Sequence, residues 1–395
     1  MFYIRITYVL FYFQLFISCI ICSPGDDLYM FQECRYQCEQ IICHKRPYHI
    51  FQRMILDELG SDGEYEIHAY NENWEFSSLL PLHLKLLGWD CVLNCDYECQ
   101  RIVTKERCKN NQEICQFHGK WPFLRVFGIQ ELASVIFSIG NYMVHAIGIK
   151  KVLEAKRQAD PMIKYEYNVL IICSFIAMFA WICSTVFHIR DFLVTERLDY
   201  FVAGLTVLSG FYGVFTRYFR LYLPSRKLQR ILFTIACILA YTWHIYRLVD
   251  DWLYTYNMQA NITLGVLQNI LWGFLCFDLY CKYYKLENIE QVYKEKQSNH
   301  LDYITPRRLL IPSFYSRSSK LYSLYPLLLC AIVIAGMSLE IFDFPPIFFD
   351  LVDAHSLWHL VTIIPAFYGW YDWMIWDINV NVKHELEEFV QKKND

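Results

Sequence analysis

Five residues in two short stretches have the types and the spacing that could carry out chemistry. Ser184 and His188 lie in the stretch CSTVFHIRD, Asp199 follows His188 by eleven residues, and His355 and His359 lie in DAHSLWHL. Both stretches lie at the ends of strongly apolar segments. An ionisable side chain there costs roughly a few kcal/mol unless it faces a polar interior, forms a pair or binds a metal. The sequence therefore predicts a buried site.

The three histidines have the spacing of metal ligands. Positions i and i+4 of a helix share a face, so His359 lies one turn from His355, and Ser184 lies one turn from His188. Three imidazoles from two helices can then converge on one point. Three histidines with an open fourth position are typical of a catalytic zinc site, where the ion lowers the pKa of a bound water to about 7 and polarises an ester or amide carbonyl. We therefore expect His188, His355 and His359 to bind zinc.

A hydrolase needs two further groups. Asp199 could take the proton of the water as general base and deliver it to the leaving group, and Ser184 could bond the water or the developing oxyanion. Asp353, beside His355, is a candidate for orienting an imidazole. A second mechanism makes Ser184 the nucleophile, His188 its base and Asp199 the orienting group, as in a lipase-like triad. That mechanism leaves both histidines of DAHSLWHL unexplained.

Each of these elements also has a structural explanation. A pair of histidines four residues apart in an apolar helix is more often packed or hydrogen-bonded than bound to metal. A buried serine commonly bonds the carbonyl one turn back, and an aspartate early in a helix is favoured by the helix dipole. All five residues lie at the ends of apolar spans that meet at the same side of the membrane, and this coincidence favours the metal site. Among other polar residues of the apolar spans, we expect His145 to pack, and Glu131 and His244 to be packing residues or neighbours of the site.

The composition is that of a membrane protein. The 395 residues are 55% hydrophobic and 18% aromatic, which is too apolar for an ordinary soluble domain. The net charge of -4 gives no reason to expect a nucleic-acid partner. Seven apolar spans, most of them near the length of a membrane-crossing helix, lie at 127–149, 167–188, 198–216, 229–248, 260–280, 322–341 and 353–376. The sequence predicts an all-α polytopic membrane protein, a seven-transmembrane helix bundle with an N-terminal lumenal cysteine-rich domain.

The basic residues between the spans predict the orientation of this bundle. Lys and Arg are enriched on the cytoplasmic side of membrane proteins. Counted with the two span residues on either side, the first, third and fifth connections contain 18 of them, and the second, fourth and sixth contain 3. We therefore expect a lumenal N-terminal domain, a cytosolic C-terminus, and all five site residues at the lumenal end of the bundle.

The N-terminal region and the cysteines give the remaining boundaries. Residues 1–22 resemble a signal peptide, with an uncleaved anchor as the alternative. We expect a lumenal domain at 23–125, the hydrolase bundle at 126–377 and a cytosolic tail at 378–395. The lumenal domain contains eight cysteines, which predicts up to four disulfides in an oxidising compartment, with a zinc cluster as the competing interpretation. They are Cys34, Cys38, Cys43, Cys91, Cys95, Cys99, Cys108 and Cys115.

The motifs resemble those of a known group of proteins. Ser-x3-His, an Asp eleven residues later and His-x3-His in the last span are similar to the shared pattern of the CREST superfamily of seven-helix membrane hydrolases. Within it, the stretches FQECRYQC, WDCVLNCDYECQ, FHGKWPFLRVFGIQELAS, STVFHIRDFLVTERLDYF and DAHSLWH are similar to the PER-like family of post-GPI-attachment factors. By position in the motifs, His188, His355 and His359 correspond to zinc ligands, and Ser184 and Asp199 to catalytic partners.

The resemblance implies a function in lipid remodelling. It implies an enzyme of the Golgi or endoplasmic reticulum membrane that removes the sn-2 acyl chain from the phosphatidylinositol of GPI-anchored proteins, which would be its partners. The chain ends KKND, where Lys392 and Lys393 are placed as in a dilysine retrieval signal, so the choice between the two organelles stays open. The alternative from another class is a seven-helix lipid receptor or GPI-lipid escort with a structural metal.

Overall fold

The computed structural model describes residues 23–45, 50–55, 64–69, 71–77, 79–288 and 308–394. The predicted signal peptide lies outside these residues. The described chain forms two compact units. One contains the residues up to Leu132 together with Phe344–Asp353, and the other contains Ala133–Asp343 and Ala354–Asp395.

The first unit is built around two helices that disulfides join. Helix α1 (Tyr29–Cys38) continues into a π-helical turn (Glu39–Cys43), and the antiparallel strands β1 (Ile50–Ile55) and β2 (Glu64–Ala69) follow. A short helix α2 (Leu82–Leu86) precedes helix α3 (Cys91–Lys109). The side chain of Asp90 caps α3 by accepting a hydrogen bond of 2.8 Å from the backbone N–H of Leu93, which satisfies one of the free donors at the helix start.

Three disulfides connect α1 and its π-helical turn to α3. They pair Cys34 with Cys99, Cys38 with Cys95, and Cys43 with Cys91. Cys34 and Cys38 on α1, like the three paired cysteines on α3, are spaced four residues apart and share a face of their helix. Cys43 lies five residues after Cys38, a spacing that would rotate it off that face in a regular α-helix. The π-helical turn, closed by the bond of 3.0 Å from His44 N–H to the Glu39 carbonyl, restores the alignment because its hydrogen bonds span five residues.

The other two of the eight cysteines, Cys108 and Cys115, are free thiols. Three of the up to four disulfides that the sequence predicted are therefore formed. The face of α3 that carries Cys91, Cys95 and Cys99 continues to the fully buried Val103. Cys108 lies nine residues after Cys99, off that face, and is exposed.

The regular secondary structure in the described residues of the second unit is helical. Its long helices are α4 (Leu132–Gln158), α5 (Lys164–Ile189), α6 (Leu193–Tyr218), α7 (Lys227–Asp250) and α8 (Tyr254–Asn288). The short helices α9 (Pro312–Tyr315) and α10 (Ser319–Tyr322) lead to α11 (Tyr325–Ile341), α12 (Ala354–Phe367), α13 (Trp370–Asp377) and α14 (Lys383–Asn394). Among the described residues, six helical segments are long and apolar enough to cross a membrane. The predicted all-α membrane fold is confirmed.

The seventh predicted span consists of two helices rather than one. Residues 353–376 are divided between α12 and α13, which begins after Gly369 with a φ of 88°. Glycine adopts this left-handed conformation without a steric penalty. Pro365 also lies within α12 and cannot donate the hydrogen bond that continues a helix. The histidines of DAHSLWHL belong to α12, before this interruption.

Close helix contacts fix the position of α12 in the bundle. Gly336 of α11 lies against Val361 of α12, where an added Cβ would come within 2.5 Å of the valine Cγ1 atom. Gly140 of α4 similarly lies against Ile363. Glycine at both positions allows two neighbouring helices to approach the helix that carries His355 and His359.

A buried ion pair joins the end of α6 to the end of α13. The guanidinium of Arg217, in the last turn of α6, donates to the carboxylate of Asp377 at the end of α13, with Nε–Oδ2 and Nη2–Oδ1 distances of 2.5 and 3.0 Å. Both residues are almost fully buried. The side-chain amide of Asn381 also donates to Asp377 at 3.0 Å. Asn381 lies in the predicted tail 378–395, so the start of that tail is packed into the bundle.

Candidate metal centre

Three imidazoles from two helices meet in the second unit. His188 lies in the last turn of α5, and His355 and His359 lie in the first two turns of α12. One nitrogen from each ring can be chosen so that all three atoms lie within 4.8 Å of one another. His188 and His359 are buried, and His355 is half-buried. The structure therefore brings together the three histidines that the sequence selected.

The two histidines of α12 direct the same nitrogen toward each other. The Nε2 atoms of His355 and His359 are 3.0 Å apart. Their Nδ1 atoms have other partners: that of His355 lies 2.8 Å from Glu340 Oε2, and that of His359 lies 2.9 Å from Ser138 Oγ. Each ring is thus held from the side opposite the cluster, as is common for imidazoles that bind metals.

Glu340 determines which nitrogen of His355 has the proton. An ionised carboxylate only accepts hydrogen bonds, so Nδ1–H of His355 is the donor to Glu340. In the neutral ring, Nε2 of His355 then carries the lone pair. It faces the Nε2 of His359, so either a proton or a cation must lie between these atoms. Imidazole nitrogens suit zinc, copper, iron and nickel, and the three residues fit the proposed zinc.

The two predicted catalytic partners have different positions. Ser184 lies on α5 one turn before His188, is buried, and has its Oγ 3.2 Å from the Oγ of Ser138. Ser138 in turn contacts His359, so Ser184 is joined to the histidines through one hydroxyl. Asp199 is half-buried in the second turn of α6. Its carboxylate interacts electrostatically with Cys183, the residue next to Ser184.

Three residues of the site were not selected from the sequence. They are Ser138 and Asn141 on α4 and Glu340 near the end of α11. The amide of Asn141 donates a hydrogen bond of 2.7 Å to the backbone carbonyl of His359, which ties α12 to α4. The signal for Glu340 was present in the sequence, since an acidic residue at the end of an apolar span is a candidate functional group by default.

The polar residues considered as neighbours have contacts of their own. Glu131 pairs with Lys120 in the first unit at 2.9 Å. His244 on α7 has its Nδ1 3.4 Å from the hydroxyl of Tyr256. His145 on α4 has its Nδ1 2.6 Å from the hydroxyl of Tyr371. Asp353 is buried and immediately precedes α12.

Comparison with known proteins identifies the family. The Per1-like family pattern matches residues 81–378. Protein PER1 of Saccharomyces cerevisiae is 38% identical over 363 residues, which cover 91% of this chain and 92% of that protein. The chain belongs to the Per1-like family. The resemblance drawn from the motifs is confirmed.

Animal relatives in this family are also similar over most of their length. The Drosophila melanogaster protein named post-GPI attachment to proteins factor 3 is 30% identical, covering 88% of this chain and 87% of that protein. The Cricetulus griseus protein named GPI-specific phospholipase A2-like PGAP3 is 30% identical, covering 86% and 85%. A comparison with solved structures finds no significant match. The region that matches the Per1-like pattern includes all five residues selected from the sequence.

Proposed function

We propose that this Per1-like protein is a zinc-dependent acyl-ester hydrolase that removes the sn-2 acyl chain from the phosphatidylinositol of GPI-anchored proteins. The observation that carries the proposal is the cluster of His188, His355 and His359. In it, the Nε2 atoms of His355 and His359 are 3.0 Å apart, and the bonded hydroxyls of Ser138 and Ser184 are buried next to the cluster. The names of the relatives, which include a GPI-specific phospholipase A2-like protein, support the substrate class.

The cluster could hold zinc through its three imidazoles, and the bound ion would supply a Lewis acid for the ester carbonyl and an activated water. Glu340 and Ser138 keep the rings of His355 and His359 in place. Asp199 takes the proton from the attacking water and delivers it to the leaving alcohol. Ser184 donates its hydroxyl hydrogen to the oxygen that becomes negative in the transition state. In this mechanism, holding the metal and using it are the tasks of different residues.

The two helices that carry the serines also form an apolar cavity that suits a lipid substrate. This cavity of about 170 Å³ opens on the seam between α4 and α5, lined by Ile139, Tyr142, Ile182, Thr185 and Val186. The only hydroxyls in this lining belong to Tyr142 and Thr185, and that of Thr185 is used within its own helix, where it donates to the carbonyl of Trp181. Ile139, Ile182 and Val186 are each nearly half exposed, so the cavity is open on the outer face of the bundle, whereas Ser138 and Ser184 are buried between the helices. The cavity offers space for part of an acyl chain.

The proposed orientation follows from the distribution of charge, and the proposed organelles follow from the family resemblance. With 18 basic residues in the odd-numbered connections and 3 in the even-numbered ones, the N-terminal domain is lumenal and the C-terminus cytosolic. The ends of α5 and α12 that carry the histidines are then lumenal. The enzyme would act on the lumenal leaflet of the Golgi or endoplasmic reticulum membrane.

The test is the release of fatty acid from a purified GPI-anchored protein by the full-length chain. Asp199→Asn should lower the rate by roughly 10²–10⁴-fold, the range of acid–base contributions, while the protein keeps its zinc. The matched control is Asp251→Asn, since Asp251 is exposed in the connection between α7 and α8; it should leave the rate unchanged.

The same variants can be tested in cells that lack this protein. Mass spectrometry of their GPI anchors should show that wild type restores remodelling and that Asp199→Asn leaves the sn-2 chain in place. Zinc bound without any release of fatty acid, and full rescue by Asp199→Asn, would together favour a lipid receptor or escort with a structural metal.

A further inference from the structure

A chain of three hydrogen-bonding groups connects the histidine cluster to Ser184. His359 Nδ1 lies 2.9 Å from Ser138 Oγ, and Ser138 Oγ lies 3.2 Å from Ser184 Oγ. Ser138 is fully buried, and Ser184 is 5% exposed. The three groups come from α12, α4 and α5, so the chain crosses the bundle beside the cluster.

The two hydrogen bonds of this chain run in the same direction, because each hydroxyl has only one hydrogen to donate. If His359 donates Nδ1–H to Ser138, then Ser138 can donate to Ser184, and Ser184 keeps its hydrogen for another acceptor. If Nδ1 of His359 accepts from Ser138, then Ser138 must accept from Ser184, and the hydrogen of Ser184 is used. The tautomer of His359 therefore decides whether Ser184 can donate to a reacting oxygen.

The cluster itself determines that tautomer. Glu340 fixes the proton of His355 on Nδ1, so the Nε2 of His355 is an acceptor. With both rings neutral and no metal bound, the Nε2 of His359 carries the proton that bonds His355 across 3.0 Å, and its Nδ1 accepts from Ser138. With the zinc of the proposed function held at Nε2, the proton of His359 lies on Nδ1 and is donated to Ser138.

We propose that Ser138 is a positioning residue that couples metal binding to the orientation of the Ser184 hydroxyl. In the metal-bound state it accepts from His359 and donates to Ser184, so the hydrogen of Ser184 points to the substrate. In the metal-free state both bonds are reversed. The inference rests on the proposed function, because it assigns Ser184 as the donor to the reacting oxygen.

Zinc affinity gives a readout that does not depend on activity. Competition of the purified full-length protein with a chelator should show that Ser138→Ala binds zinc about 10–100-fold more weakly, the usual effect of losing an outer partner of a ligand imidazole. Ser184→Ala should keep the wild-type affinity, since Ser138 can still accept from His359. The matched control is Ser134→Ala, which removes a buried hydroxyl one turn away on the same face of α4 and should also leave the affinity unchanged.

Kinetics at saturating zinc give the second readout. Ser138→Ala should lower kcat with KM unchanged, because the Ser184 hydroxyl is no longer oriented, and by less than Ser184→Ala, whose loss is on the order of 10²–10³-fold for a removed oxyanion donor. The double variant should be no slower than Ser184→Ala alone, because Ser138 acts through Ser184.

The outcomes separate this inference from the proposed function. If wild type neither binds zinc nor releases fatty acid, both are wrong. If wild type does both, and Ser138→Ala keeps its zinc affinity or the two serine substitutions have multiplicative effects on kcat, then only the role of Ser138 is overturned.

Discussion

Glu340 fixes the tautomer and the ring orientation of His355. Its carboxylate accepts from Nδ1–H at 2.8 Å, and its second oxygen lies 3.3 Å from the hydroxyl of Tyr254. A carboxylate held in this way fixes the tautomer of the imidazole and increases its basicity. The ring orientation of His355 therefore depends on a side chain from α11, fifteen residues earlier in the chain.

Replacing this carboxylate should weaken the metal site. Glu340→Gln keeps an acceptor but removes the charge, so we expect zinc affinity to fall by about 10–100-fold, and His355→Ala should lower it further. The measurement is chelator competition on purified protein, with Glu387→Gln as the control because Glu387 is exposed on α14. Unchanged affinity of Glu340→Gln would mean that His355 does not depend on Glu340 as a ligand.

The sequence was sufficient to select the three histidines of the site, but not to assign the residues that hold their rings. The histidines could be selected because residue type and a spacing of four place two of them on one helix face. Ser138 could not be assigned, and Glu340 could be noticed only as an acidic residue at the end of an apolar span, because their roles depend on which faces of α4 and α11 turn toward α12. That choice is made by packing between helices that are far apart in the sequence, and serine in an apolar helix is compatible with a bond to its own backbone.

At the scale of elements, the approach of α11 to α12 sets the position of the cluster. The Cβ of an alanine at Gly336 would lie 2.5 Å from Val361 Cγ1 and 3.1 Å from Val361 Cβ, both far below normal van der Waals contact. A β-branched side chain on a helix cannot rotate away easily. The two helices must therefore separate to accommodate any side chain at this position.

Gly336→Ala should accordingly destabilise the protein and weaken zinc binding, although residue 336 touches no ligand. We expect a loss of about 1–3 kcal/mol, the usual cost of overpacking, and a lower thermal unfolding temperature. The control is Gly273→Ala on α8, where an added Cβ meets no atom within 4 Å; it should be neutral or mildly stabilising. Equal unfolding temperatures of the two variants would show that the α11–α12 contact is looser than described.

The disulfides give an element-scale prediction for the first unit. Peptide mapping after thiol labelling under denaturing, non-reducing conditions should find label on Cys108 and Cys115 and none on the six paired cysteines. A reduced sample should label all eight and serves as the control. Protection of Cys108 and Cys115 would indicate a fourth disulfide. The sequence could count these cysteines but not pair them, because pairing depends on how α1 and α3 align.

At the scale of the whole molecule, the apolar spans were the most predictable feature and their interruptions the least. Hydropathy locates a span because a bilayer requires about 20 apolar residues. It does not detect that Gly369 divides the last span, since a glycine is compatible with either a continuous or a broken helix. The pairing of Arg217 with Asp377 was equally hidden, because Arg217 immediately follows the predicted span 198–216, whereas the structure buries it in an ion pair.

The orientation of the bundle in the membrane is the last testable property. If the excess of basic residues lies in the cytosol, protease added to sealed microsomes should remove a C-terminal epitope tag and leave the disulfide-bonded region between Cys34 and Cys99 intact. Detergent should then expose that region, which controls for resistance of the fold itself. The histidine cluster, at the opposite ends of α5 and α12 from the basic connections, would in that case face the compartment in which disulfides form. A protected C-terminal tag, with the cysteine-rich region digested before detergent is added, would reverse the orientation and place the cluster in the cytosolic half of the bilayer, where a lumenal GPI lipid could not reach it.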